Sequence, residues 1–156
     1  MKRLLPLAVA SMLALSSAAR AQLADAKVLT LQAAKAILAA AEAEAKKNNW
    51  NLSIAVVDAH GELLAFERMD DAAYTTVAIA QGKALTAARF KRPTKALDSS
   101  VTAGRVQLMA FPGLIPVEGG VPIMVNGKVL GAVGASGAAS SQDAQVAKAG
   151  ADVVKP

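Results

Sequence analysis

Two apolar runs, Val121–Val125 and Val129–Val133, meet at Asn126-Gly127. An Asn-Gly pair between such runs specifies a tight antiparallel hairpin, because both central residues of the favoured two-residue turn need positive φ. The register of this β-ribbon is therefore set locally. Glycines stand at its start (Gly119, Gly120) and at its exit (Gly131, Gly134, Gly137). A glycine in a strand gives up packing, so either the backbone bends there or another group comes close to it. We expect the ribbon to lie centrally in a sheet, with its glycine-flanked ends forming a binding edge.

The first residues follow a different logic. Lys2 and Arg3 form a basic start, Leu4 to Leu15 an apolar run, and Ala19-Arg20-Ala21 a small-x-small cleavage pattern. That order is the one a secretory signal peptide requires. We therefore expect residues 1–21 to be a cleaved leader and residues 22–156 a single exported domain, periplasmic or secreted. The apolar run is too short to span a bilayer, so no membrane anchor is expected. Lys2, Arg3 and Arg20 leave with the leader and no acid does, lowering the formal charge from +5 to +2. Only 3 % of residues are aromatic, too few to stack bases, and the one basic run, Arg89-Phe90-Lys91-Arg92, suits a solvated helix end. Nucleic-acid binding is not expected. Cysteine is absent, which removes disulfides, thiolate metal sites and cysteine nucleophiles together.

Along the rest of the chain, Thr30 caps a helix to about Lys47, with Leu31, Ala34, Leu38, Ala41 and Ala45 on one stripe. Leu52–Asp58 reads as a buried strand, Asp58–Gly61 as a turn, and Glu62–Met69 as the returning strand. Tyr74–Phe90 reads as a helix rich in small residues, stopped by Pro93. Thr94–Val101 follows as a short helix and Thr102–Leu114 as an irregular connection. A last helix starts at Ser140 or Ser141 and runs to about Val153. Helix, hairpin, two helices, hairpin, helix is an α+β order: one antiparallel sheet covered by helices in a single domain.

Four stretches, VVDAHGELLAFERMDDA, AQGKALTAARF, PVEGGVPIMVNGKVLGAVGASGA and SQDAQVAKAG, resemble the HbpS/GlcG-like haem-binding family, whose domain also ends some PduO-type corrinoid adenosyltransferases. The resemblance covers nearly all of the chain after the leader. It implies a profilin-like α+β fold, export in many members, symmetric homo-oligomers, and haem or corrinoid (tetrapyrrole) binding in some. Asp58, Gly61, Arg68, Met69, Asp70 and Ala72 match its first hairpin, and Lys83 and Thr86 its second helix. Gly119, Gly120 and Pro122 match its GGxP turn, Gly131, Gly134, Ser136 and Gly137 its exit, and Asp143 its last helix. Asp71 departs, standing where many members have glycine.

Against that resemblance, His60 is the one histidine and a candidate axial donor to haem iron; Met69, Met109 and Met124 are others. A lone histidine cannot build a catalytic zinc site. Arg68 and Lys83 are candidates for ligand propionates, with salt bridges as their ordinary alternative. Gly119-Gly120 offers bare backbone to an anion or a flat ligand, and Glu118 is either a buried base or a turn-ordering group. Ser136 is a candidate ligand contact or a turn cap. Gly131–Gly137 lacks the spacing of a dinucleotide loop, and Gly134-Ala135-Ser136-Gly137 is not a hydrolase elbow. The sequence thus leads to an exported, oligomeric haem-binding protein. Two alternatives stand beside it: an enzyme acting on a hydroxy acid or carbonyl compound through Lys83, Glu118, Ser136 and Asp143, and a structural subunit without ligand.

Overall fold

A computed structural model describes residues 26–155; the expected leader, residues 1–21, lies outside them. The first helix, α1 (Leu31–Lys47), is capped by Thr30, whose hydroxyl accepts the Ala33 N–H at 3.1 Å. The strand β1 (Ser53–Asp58) and the strand β2 (Leu63–Arg68) form the first hairpin. Next come α2 (Thr76–Phe90), α3 (Thr94–Thr102) and a 3-10 turn over Val106–Ala110. The second hairpin is β3 (Gly120–Val125) and β4 (Lys128–Ser136), joined at Asn126 and Gly127 with φ of 51° and 75° as that dipeptide requires. The helix α4 (Ser140–Ala151) closes the fold.

All strand pairs are antiparallel, in the order β2-β1-β4-β3. β1 is covered on both faces, which explains its unbroken apolar run. Ile54 and Val56 point, with Val133 and Ala135 of β4, toward α1 and α4; Ala55, Val57 and Ala132 point toward α2. The α2 contact face is Ala80, Ala84, Ala87 and Ala88, all fully buried. Small residues there let the helix backbone approach the sheet: a Cβ at Gly134 would meet Ala80 O and Ala84 N. The second hairpin is thus half central. β4 lies inside the sheet, and β3 is an edge. That edge is blunted by Pro122, which has no N–H to offer, and by Thr94, whose hydroxyl accepts the Gly120 N–H at 2.8 Å.

Several elements differ from expectation. Tyr74 stands before α2 and is 82 % exposed, because Thr76 starts the helix and bonds back to Ala73 O at 2.6 Å. β4 runs on to Ser136, held by pairing with β1 as far as Ser53. The irregular connection contains the 3-10 turn, seated through Leu108. Among the described residues, no helix is long and apolar enough to cross a membrane.

Candidate functional site

The sheet separates the candidate residues into two groups, one at each end. At one end β1 begins, β4 finishes and β3 starts; Ser53 faces Ser136, and Gly120 faces Gly134. At the other end lie the β1–β2 turn, with His60, and the Asn126-Gly127 tip. His60 lines one cavity, and Gly119 and Gly120 line another.

At the first end Lys83 leaves the middle of α2 and passes from one helical layer to the other. Its Nζ donates to Asp143 Oδ2 at 2.8 Å and to Ala135 O at 3.1 Å, with both charged side chains at most 3 % exposed. Asp143 sits in the first turn of α4, and its Oδ1 also accepts the Ala138 N–H at 3.0 Å. Burial pushes the Asp143 carboxyl above its ordinary value, while Lys83 and the Ala138 and Gly137 amides pull it down. The ion pair needs Gly119: a Cβ there would lie 2.7 Å from Lys83 Nζ and 2.9 Å from Ala135 O, at a φ of +131° that disfavours any other residue. Lys83 therefore lies beneath the glycine turn rather than open to a ligand.

Above that turn a cleft of about 710 Å³ follows the β3 edge, lined by Gly119, Gly120, Pro122, Met124, Lys148 and Val154 among others. Glu118 at its rim is engaged by Lys95 at 3.1 Å, while its own N–H is accepted by Asp98 Oδ2 at 2.9 Å, so Asp98 holds the backbone here and the Glu118 carboxylate is turned to a lysine. Ser136 is buried opposite Ser53, whose hydroxyl bonds Thr76 Oγ1 at 2.8 Å. Arg68, exposed at the end of β2, lies over the Tyr74 ring, 4.6 Å from its centre. Met69 is half-buried against the main core, and Met109 and Met124 are exposed.

At the second end a cavity of about 650 Å³ is walled by Leu29, Leu64, Val125, Val129 and Leu130, with His60, Asp58, Lys27 and Lys128 as its charged and donor groups. Asp58 Oδ1 accepts the N–H of His60 at 2.8 Å and of Glu62 at 2.9 Å. Desolvation raises the Asp58 carboxyl, but these amides and that of Gly61 outweigh it and hold it below its ordinary value. Sequence reading singled out His60 but not its walls. Val125, Val129 and Leu130 flank the hairpin tip and could have been gathered from it; Lys27 and Leu29 precede α1 and carry no pattern. Among the described residues, no three His, Asp or Glu side chains cluster as a metal site.

A four-stranded antiparallel sheet with α1 and α4 on one face and α2 on the other defines a single-domain α+β protein, as expected. The chain belongs to the HbpS-like family: the family model described as haem degrading protein HbpS-like matches residues 29–152. It is 51 % identical to protein GlcG of Escherichia coli over 109 residues, covering 70 % of this chain and 81 % of that one. The crystal structure of HbpS superposes with a TM-score of 0.80 at 34 % identity, covering 85 % of this chain and 94 % of that one. A crystal structure of a PduOC–haem complex superposes with a TM-score of 0.75 at 25 % identity, covering 82 % and 96 %.

Proposed function

We propose that this chain is an exported haem-binding protein that works as a homo-oligomer and presents His60 as the axial donor. The observation that carries the reading is the cavity at the turn end of the sheet. It sets one imidazole beside aliphatic walls and two lysines, Lys27 and Lys128. Its volume falls within the ~300–1,000 Å³ of small-ligand sites. These three things suit a haem: an axial donor for iron, an apolar surface for the ring, and cations for its propionates. The family description and the haem-bound relative support the same ligand class; a corrinoid shares the flat macrocycle and is the natural competitor. Self-association draws support from Val106, Met109 and Phe111, each more than half exposed on neighbouring turns.

The alternative of an enzyme acting on a hydroxy acid or carbonyl compound draws no comparable support from these side chains. Lys83 and Asp143 satisfy each other out of solvent, and Glu118 is turned to Lys95. These groups do not converge on an open cavity.

Titrating haem into the purified protein tests the proposal. A Soret shift that saturates and is lost or moved in His60→Ala is expected; no shift, or one indifferent to His60, would overturn it. N-terminal sequencing of the periplasmic protein should begin at Gln22, and light scattering should give a multiple of the chain mass.

A further inference from the structure

We propose that Asp58 and Arg89 are positioning residues for His60, clamping its backbone so that the imidazole stands ready at the cavity mouth. The inference rests on the haem reading above and adds two residues to it.

The β1–β2 turn is held from two sides. On the strand side, Asp58 Oδ1 takes the N–H groups of His60 and Glu62, at 2.8 and 2.9 Å. On the helix side, Arg89 in the last turn of α2 donates from Nε to His60 O at 3.2 Å. Both polar backbone groups of His60 are thus fixed, each by a different element. Gly61 shows how closely the turn lies on α2: its φ is +93°, and a Cβ there would meet Leu85 and stand 3.5 Å from Arg89 Nε. The main-chain bonds Asp58 N–H to Glu62 O (2.9 Å) and Gly61 N–H to Asp58 O (3.1 Å) already close the turn. The contact from α2 is additional to what the turn itself needs.

Its use is pre-organisation. An axial histidine on a free turn must be ordered when the ligand binds, and that cost subtracts from affinity. Partners that orient a metal-binding histidine through its ring nitrogen set affinity by factors of about 10–100, and a clamp on the backbone acts on the same ordering cost at the lower end of that range. Arg89 is not among the residues lining the cavity, so replacing it leaves the walls intact.

The test compares wild type, His60→Ala, Arg89→Met and Arg89→Lys in the full chain, using haem binding and amide exchange of the apoprotein. Arg89→Met keeps the stem and removes the donor. It should weaken haem binding about tenfold and speed exchange at His60, with melting unchanged. Arg89→Lys, whose ammonium can reach the same carbonyl, should recover most of both. A wild-type complex that needs His60 but ignores Arg89 overturns this inference alone, as does a loss of affinity without faster exchange. A wild type that binds no haem overturns the haem reading and this inference with it, and one that binds equally without His60 overturns the axial assignment and this inference.

Discussion

Replacing Lys83 by Met removes an ammonium that makes two bonds, to Asp143 Oδ2 and Ala135 O. The replacement fills nearly the same volume, so the cost is electrostatic rather than a cavity. Asp143 then remains buried with only the Ala138 and Gly137 amides to favour its charge. Breaking one side of a buried ion pair costs about 3–5 kcal/mol, whereas replacing both partners by apolar residues is often nearly neutral. Lys83→Met should therefore lose about 3 kcal/mol at pH 7, and Lys83→Met with Asp143→Leu should recover much of it. The pH dependence has a definite sign. Burial already raises the Asp143 carboxyl, and losing Lys83 raises it further. A carboxyl raised on folding binds its proton more readily in the folded state, so its penalty grows as pH rises through the folded value and fades as pH falls toward the unfolded one. The variant should thus lie closer to wild type at pH 5 than at pH 7. Urea denaturation of the four proteins of the double-mutant cycle, at both values, reads all of this. A single variant within 1 kcal/mol of wild type, or a double variant as weak as the sum of the singles, would refute the reasoning.

Further outcomes follow from neighbouring contacts. Gly119→Ala should destabilise by roughly 2 kcal/mol or more, combining left-handed backbone strain with displacement of Lys83; calorimetry showing no change would contradict the close approach. Thr94→Val should cost about 1–3 kcal/mol by leaving the buried Gly120 N–H without its acceptor, measured by urea denaturation. Asp58 is held below its ordinary value of 3.8 by backbone amides. Its contribution is therefore present above that pH and lost as pH falls through the lower folded value. Asp58→Asn should flatten the acid limb of the stability profile.

What could be read in the sequence was local. Asn126-Gly127 announced its hairpin because the turn chemistry lies in two adjacent residues, and Thr30 announced a helix because a cap bonds three residues ahead. The α+β order emerged from hydrophobic periodicity. The pairing of β1 with β4 did not, because nothing in a strand's own pattern names a partner some 80 residues away. That pairing decides the site. It puts Gly119 and Gly120 at one end of the sheet and His60 at the other, dividing candidates that the sequence offered together. Lys83 shows the same limit. Its position on an alanine-rich helix marked it as unusual, but its partner Asp143 lies 60 residues on, and only the fold shows the ammonium to be enclosed.

Amide chemical-shift mapping with diamagnetic zinc protoporphyrin, added to isotopically labelled protein, tests the placement of the ligand most directly. Perturbations centred on Lys27–Leu29, His60–Leu64 and Val125–Leu130 are predicted. Shifts confined to Lys95, Gly119–Met124 and Lys148–Lys155 would place the macrocycle at the β3 edge instead and contradict the account.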